Sequence, residues 1–166
     1  PENLKYNDLI NSAEKSLERL KTDYIDLYLI HAPNPKISLS ETMKAMDYLV
    51  EKNLVRFIGV SNFSVEQIKE AQKYTQNKIS ANQIEYNLIT RNSGKATKDM
   101  ESMIIPYCQK NNIIVIAYRP LTKGELFRKE FNTLNEICRK YKKTKPQIAL
   151  NWLISKKNIV TIPKST

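Results

Sequence analysis

The stretch Tyr24-Ile25-Asp26-Leu27-Tyr28-Leu29-Ile30-His31-Ala32-Pro33 is the most apolar short run of the chain, and it ends on the only histidine. A run of β-branched and aromatic residues, interrupted by one aspartate and stopped by a proline, predicts a strand buried on both faces. Parallel sheets carry their chemistry at the C-terminal ends of their strands. His31 is therefore either a placed catalytic imidazole or an ordinary histidine at a strand end, and this strand alone does not decide between the two.

Predicted helices and strands alternate around this stretch. Residues 7–21 form the first predicted helix, because apolar residues recur there at helical spacing. Three later helices begin at capping boxes, in which a serine or threonine is followed three residues on by glutamate or glutamine: Ser38–Glu41, Ser64–Gln67 and Thr144–Gln147. The apolar faces of the predicted helices include Leu20, Met103 and Tyr141. Further strands are predicted over residues 55–60, 79–86, 113–118 and 158–163.

The connections between these strands are long enough only for right-handed parallel crossovers, so the fold class is α/β. One candidate is an open, doubly wound sheet, and the other is part of a (β/α)₈ barrel. The chain has three glycines and neither a G-x-G-x-x-G turn nor a P-loop, which counts against the doubly wound sheet. It also begins in a helix and ends just after a strand, as expected of a segment of something larger.

Composition limits the classes of function. The 166 residues are 41% hydrophobic and carry a formal charge of +10, with a pI near 9.5. A basic chain invites a nucleic-acid hypothesis, but the lysines are dispersed and many fall near predicted helix C-termini, so this hypothesis ranks lowest. No apolar run is long enough for a membrane helix and no signal peptide is recognised, so we expect a cytoplasmic protein without a membrane partner. Cys108 and Cys138 are expected to be reduced core thiols, with neither a disulfide nor a metal.

The predicted strand ends share hydrogen-bonding, aromatic or basic side chains: His31, Ser61, Asn62, Gln83, Tyr118, Arg119, Lys164 and Ser165. In a barrel, these residues would all face one mouth. Together they suit a nicotinamide dinucleotide phosphate, which needs carboxamide contacts, an aromatic plane and a phosphate site.

Each residue also has an ordinary explanation. Ser61 and Asn62 could cap a helix, Gln83 and Tyr118 could be ordinary strand residues, and Lys164 could be a surface lysine. Only their coincidence at successive strand ends favours the functional interpretation.

Five motifs carry a resemblance to a known family. They are Leu27-Tyr28-Leu29-Ile30-His31-Ala32-Pro33, Phe57-Ile58-Gly59-Val60-Ser61-Asn62-Phe63, Asn82-Gln83-Ile84-Glu85-Tyr86-Asn87, Ile116-Ala117-Tyr118-Arg119-Pro120-Leu121 and Ile162-Pro163-Lys164-Ser165-Thr166. They resemble, in order, signatures of the aldo-keto reductase family. The resemblance implies a (β/α)₈ barrel, of which this chain is one domain supplying about five strands, from the fourth to the eighth. It also implies NADPH as cofactor and reduction of a small-molecule aldehyde or ketone to an alcohol.

The resemblance assigns a role to each motif residue. His31 matches the active-site histidine that orients and polarises the substrate carbonyl. Ser61, Asn62 and Gln83 match the residues that hold the nicotinamide carboxamide, and Tyr118 matches the aromatic ring that stacks on the nicotinamide.

Other motif residues match contacts to the phosphates. Arg119, Leu121 and Lys123 lie where the family's cofactor loop meets the pyrophosphate, although Arg119 replaces the serine common there. The family's clamp on the 2′-phosphate, which favours NADPH over NADH, matches Lys164, Ser165 and the backbone of Thr166.

Some of the family's catalytic groups find no match. Its tyrosine general acid, with a lysine and an aspartate, comes from the first three strands, and Tyr6, Tyr24 and Tyr28 do not lie in those contexts. The segment after Thr166 is expected to be missing as well. A non-catalytic, cofactor-binding or interaction module is therefore the alternative to a reductase. Unpaired edges of a partial barrel would also favour self-association.

Overall fold

The structure is a computed structural model that describes residues 2–94 and 97–164. The chain divides into two compact units, Pro1–Asn82 and Gln83–Thr166. Five strands form one sheet in the order β1-β2-β3-β4-β5. The pairings of β1 with β2 and of β4 with β5 are parallel, as expected from the alternation of helices and strands. The assignment of residues 1–166 to a single domain stays a prediction.

In the first unit, helices and strands alternate strictly. Their bounds are α1 (Tyr6–Leu20), β1 (Ile25–Ile30), α2 (Leu39–Glu51), β2 (Val55–Ser61) and α3 (Val65–Lys73), and β3 (Ile79–Glu85) follows. Packing of α2 against α1, α3 and β2 creates the core. Its centre consists of side chains at helical spacing on α2 and of inward residues on β2: Met43, Met46, Leu49, Ile58 and Val60.

Two burial expectations in this unit are wrong. Leu20, expected on the apolar face of α1, is 65% exposed, because the buried face of α1 runs through Leu9, Ala13 and Leu17 instead. In β1 only Ile30 is buried, whereas burial on both faces was expected. The physical reason is that β1 stands at one end of the strand order and pairs with β2 alone.

Of the three predicted capping boxes, two are complete. Those at Ser64–Gln67 and Thr144–Gln147 form with both reciprocal hydrogen bonds. At Ser38 only half of the box forms, because the Glu41 carboxylate accepts the main-chain N–H of Tyr6 at 2.9 Å. This long-range bond ties the beginning of α1 to α2.

In the second unit, short helices surround two strands. After a π-helical turn (Met100–Ile104) come α4 (Ile105–Lys110), β4 (Ile114–Tyr118), a 3₁₀ turn (Thr122–Gly124), α5 (Glu125–Arg128), α6 (Asn132–Tyr141), α7 (Lys145–Ile154) and β5 (Ile159–Ile162). A hydrophobic cluster of Leu126, Leu134 and Ala149 joins α5, α6 and α7. Met103 and Tyr141, expected in helix cores, are 49% and 59% exposed. The π-helical turn shifts the periodicity around Met103, and Tyr141 is the last residue of α6.

Candidate active site

The first unit brings together three predicted site residues, His31, Ser61 and Asn62, which we call the histidine site. The register of Ile30 opposite Val60 places His31 and Ser61 at neighbouring strand ends. Asn62 bridges them, because its Nδ2 donates to the main-chain oxygen of His31 at 3.2 Å and to Oγ of Ser61 at 3.0 Å. His31 is exposed and Ser61 is buried. The site therefore joins the backbone of His31, the Ser61 hydroxyl and the Asn62 carboxamide in one hydrogen-bonded group.

The backbone at Asn62 explains this bridge. Asn62 has a φ of 60°, in the left-handed region that asparagine tolerates better than most residues. The N-cap of α3 is Ser64, not Ser61 or Asn62. The ordinary explanation, in which Ser61 and Asn62 are present to cap a helix, therefore does not apply.

A buried amide that the sequence analysis did not single out supports the turn after Asn62. Asn82, on β3 and fully buried, donates from Nδ2 to the main-chain oxygen of Phe63 at 3.0 Å. Within residues 2–94 and 97–164, its Oδ1 has no hydrogen-bond partner. The signal available in the sequence was an amide side chain inside a predicted strand, where a buried polar group needs a partner.

A cavity of about 480 Å³ adjoins His31. Tyr28 and Leu29 of β1 line it together with Leu4 and Leu9 from the beginning of the chain. Burial raises the pKa of Tyr28, and the charge of Arg19 opposes this rise only in part. Tyr28 is thus a weaker acid than an ordinary tyrosine.

The second unit holds a different group, Gln83, Glu85, Tyr118 and Arg119, which we call the arginine site. Arg119 follows the last residue of β4 and pairs through Nη1 with Oε2 of Glu85 at 3.1 Å. The Glu85 side chain is 11% exposed and that of Arg119 is 42% exposed. The guanidinium carbon of Arg119 lies 5.6 Å from the centre of the Tyr118 ring. Sequence reasoning missed Glu85, although a carboxylate in a buried strand signals a cationic partner.

Backbone contacts fix Arg119. Its φ is 53°, and its main-chain oxygen accepts from Nδ2 of Asn87 at 3.2 Å and from the N–H of Thr122 at 2.9 Å. The Oδ1 of buried Asn87 accepts from the N–H groups of Ile89 and Thr90 at 3.0 and 2.9 Å. Asn87 therefore holds both the loop that follows β3 and the first residue after β4.

Both charges of this site act on Tyr118. Burial is the main reason why the pKa of the Tyr118 hydroxyl is raised, and the negative charge of Glu85 raises it further. Arg119 has the opposite effect. Gln83, two residues before Glu85 on β3, is half-buried.

The remaining predicted residues are dispersed within the second unit. Leu121 is half-buried and packs against the cluster around Leu126, whereas Lys123 is exposed. Lys164 is exposed and follows β5. Ser165 and Thr166 lie outside the described residues.

Metal-binding clusters and membrane-spanning helices are both absent from the described residues. Over residues 2–94 and 97–164, no group of three or more histidine, cysteine, aspartate or glutamate side chains is arranged to hold a metal ion. In the same part of the chain, no helix combines the length and apolarity needed to cross a membrane.

Polar groups at the ends of parallel strands are typical of the large class of α/β proteins that bind ligands at strand ends. Within this class, the family can be identified. The model of the Aldo/keto reductase family matches residues 1–166, and the chain belongs to this family. Glyoxal reductase from Bacillus subtilis is 38% identical over 160 residues, which cover 96% of this chain and 53% of that protein. Methylglyoxal reductase YeaE from Escherichia coli is 33% identical over 160 residues, which cover 94% of this chain and 54% of that protein. The chain spans about half the length of the curated relatives it matches.

Solved structures confirm the predicted fold class. The thermostable aldo-keto reductase Tm1743, solved with the inhibitor epalrestat, superposes with a TM-score of 0.87 at 40% identity, covering 99% of this chain and 58% of that one. The aldo-keto reductase from Klebsiella pneumoniae in complex with NADPH superposes with a TM-score of 0.85 at 31% identity. This superposition covers 99% of this chain and 57% of that one. The chain thus supplies five parallel strands of the family's barrel.

Proposed function

We propose that this protein is an NADPH-dependent carbonyl reductase that converts a small-molecule aldehyde or ketone to an alcohol. The observation that carries the proposal is the bridge from Asn62 to His31 and Ser61, because it builds three family motif residues into one hydrogen-bonded group. Relatives named as glyoxal and methylglyoxal reductases, and a related structure in complex with NADPH, support the same activity.

The residues present fit the cofactor by their chemistry. A nicotinamide carboxamide has both a donor and an acceptor, which complement the Ser61 hydroxyl and the carboxamides of Asn62 and Gln83. Tyr118 offers an aromatic plane, and Arg119 a guanidinium suited to a phosphate. Lys164, with Ser165 and Thr166 next to it in sequence, would hold the 2′-phosphate, and Leu121 and Lys123 would lie along the pyrophosphate.

When bound, the reduced nicotinamide would supply a hydride to the carbonyl carbon, and the resulting alkoxide oxygen would take a proton from solvent water. His31 donates a hydrogen bond from its imidazole to that oxygen and so draws electron density away from the carbon. Asn62 fixes the backbone of His31 and the hydroxyl of Ser61 in one geometry. Orientation of the reacting groups is therefore the main contribution of the histidine site.

One observation favours a second candidate, a chain that binds NADPH without efficient catalysis. Tyr28 is the tyrosine that shares a cavity with His31, and its pKa is raised by burial. A general acid works best with a pKa close to the working pH, and such an acid contributes about 10²–10⁴-fold to a rate. Consumption of NADPH with glyoxal separates the two candidates: the reductase turns over repeatedly, and the binding chain does not.

The proposal is tested by fluorescence titration of the 166-residue chain with NADPH and NADH, after circular dichroism has shown that it is folded. We expect clear preference for NADPH, and Lys164→Ala should reduce that preference about ten- to a hundredfold, since a charge-assisted hydrogen bond contributes about 1.5–3 kcal/mol. Asn62→Ala should weaken the binding of both cofactors. The matched variant Asn11→Ala, at an exposed position of α1, should leave the binding of both unchanged. A folded chain that binds neither cofactor would contradict the proposal. Cytoplasmic location and self-association through strand edges stay predictions.

A further inference from the structure

An ion pair, Glu85 with Arg119, lies beside the Tyr118 ring in the second unit. The carboxylate of Glu85 is almost fully buried, and its partner, the Arg119 guanidinium, lies 5.6 Å from the centre of the ring. Glu85 engages one terminal nitrogen of the guanidinium, Nη1. The pair therefore places a positive charge beside the aromatic ring and a negative charge next to that positive charge.

Several contacts keep this arrangement in place. The main-chain oxygen of Arg119 is held by Asn87 and Thr122, so its side chain departs from a fixed point. Glu85 is part of β3 and is fixed by the strand. The two charges also act on the Tyr118 hydroxyl with opposite sign, Glu85 raising its pKa and Arg119 lowering it.

We propose that Glu85 and Arg119 are specificity-determining residues that set the relative affinity of the protein for the oxidised and the reduced cofactor. This inference rests on the proposed function, in which the nicotinamide stacks on Tyr118. The oxidised ring carries a positive charge and the reduced ring is neutral, while the phosphates and the adenosine are the same in both. A charge beside Tyr118 therefore changes the ratio of the two dissociation constants, and effects on the shared parts of the cofactor cancel in that ratio.

Each charge acts in a predictable direction. Glu85 attracts the cationic ring and favours NADP⁺, whereas Arg119 repels it and favours NADPH. In the paired state the two effects largely offset each other. Removing one charge should shift the ratio about three- to tenfold, the range expected for a unit charge roughly 7 Å away in a partly solvated site.

The experiment measures the dissociation constants of NADP⁺ and NADPH for the 166-residue chain. Glu85→Gln should raise the ratio of the NADP⁺ constant to the NADPH constant, and Arg119→Gln should lower it. The double variant should return to within about twofold of the original ratio, because it carries neither charge. The double variant also avoids the buried, unpaired carboxylate that Arg119→Gln leaves. Its ratio of dissociation constants can therefore be measured even where that single variant fails to fold.

Two controls separate charge from structure. Arg119→Lys keeps the charge and loses the planar guanidinium, so its ratio should stay near the original even where both affinities fall. Asp26→Asn neutralises a carboxylate that pairs with Arg56 in the first unit, and its ratio should not change. If Glu85→Gln and Arg119→Gln each lost the same affinity for NADP⁺ as for NADPH, the inference would be overturned and the proposed function would stand. Absence of binding in the unsubstituted chain would instead refute the proposed function.

Discussion

The histidine site and the arginine site both lie at strand ends, but different interactions hold them. In the histidine site the amide of Asn62, and beside it that of Asn82, donate to main-chain and hydroxyl oxygens, which carry no formal charge. In the arginine site, a buried carboxylate pairs with a half-exposed guanidinium. Neutral bonds to the backbone fix a geometry, whereas an ion pair responds to charge, salt and pH. Under the proposed function, the first site would orient the reacting groups and the second would respond to the charge of the ligand.

The ion pairs of the two units extend this contrast. The carboxylates of Asp26 and Glu70, in the first unit, belong to side chains that are 72% and 43% exposed. Those of Glu85 and Glu101, in the second unit, are 11% and 21% exposed, whereas that of Glu125 is 46% exposed. Solvent screens Glu85 and Glu101 least, so these two charges should matter most to stability.

The largest expected effect tests how rigidly the first unit is packed. A Cβ on Gly59 would lie 2.6 Å from Cδ2 of Leu29 and 2.8 Å from the main-chain oxygen of Ala81, and the oxygen belongs to the neighbouring β3. Gly59→Ala should therefore lower the free energy of unfolding by about 3 kcal/mol, as overpacking does in a tight core. Urea denaturation followed by circular dichroism measures this change.

Gly124→Ala is the matched control in the second unit. A Cβ there meets nothing closer than 3.8 Å, so only the left-handed backbone, with a φ of 86°, opposes the substitution. The expected loss is about 1 kcal/mol. A Gly59→Ala variant no less stable than Gly124→Ala would show that Leu29 and Ala81 move aside at little cost.

The next effect compares the two buried asparagines. Asn87 makes three hydrogen bonds to the backbone, with Arg119, Ile89 and Thr90, and Asn82 makes one, with Phe63. Asn87→Ala should destabilise the protein by about 2 kcal/mol and Asn82→Ala by about 1 kcal/mol, since each loss leaves buried backbone groups unpaired. Thermal and urea unfolding of both variants measure the difference.

Asn87→Asp refines this comparison. The aspartate still accepts from the N–H groups of Ile89 and Thr90 but no longer donates to the oxygen of Arg119. Its stability should fall between those of the original chain and Asn87→Ala. Equal stability of the Asn87→Ala and Asn82→Ala variants would mean that the number of bonds does not explain how the two sites are held.

The sequence predicts local features of this fold well. The capping boxes at Ser64 and Thr144 depend on residues three positions apart, and both form. The alternation of helices and strands, and with it the parallel sheet, follows from periodicity in short windows. The order of the five motifs along the chain also indicates the correct family.

Features that depend on distant residues were not predictable in this way. The Glu41 carboxylate could accept locally from the main-chain N–H of Ser38 but accepts instead from that of Tyr6, 35 residues away. The pairing of Glu85, on β3, with Arg119, directly after β4, joins residues 34 positions apart, and the exposure of β1 depends on its place in the sheet. Spacing along the chain carries no information about which of several distant partners a polar side chain meets.

The smallest expected effect tests whether burial makes the charges of the second unit sensitive to pH. Glu101 accepts from Nε and Nη2 of Arg91, at 2.9 and 2.6 Å, and from the Tyr86 hydroxyl at 2.6 Å. The Arg91 hydrogen bond is the main cause that lowers the pKa of Glu101 below its ordinary value of 4.5. A carboxyl whose pKa is lowered by folding stabilises the protein fully above about pH 4.5, and this stabilisation is lost as the pH falls through the lower, folded value.

Glu101→Gln cannot titrate, so it should lose less stability than the original chain between pH 5 and pH 3, after starting about 1 kcal/mol lower at pH 7. Glu70→Gln is the matched control in the first unit, because the pKa of Glu70 is also lowered, first by its hydrogen bond from Tyr74, but its side chain is more exposed. Urea midpoints measured at several pH values should depend on pH clearly less in Glu101→Gln than in the original chain. In Glu70→Gln this pH dependence should change little. If both variants changed the pH dependence of stability equally, solvent screening would not explain the difference between Glu101 and Glu70.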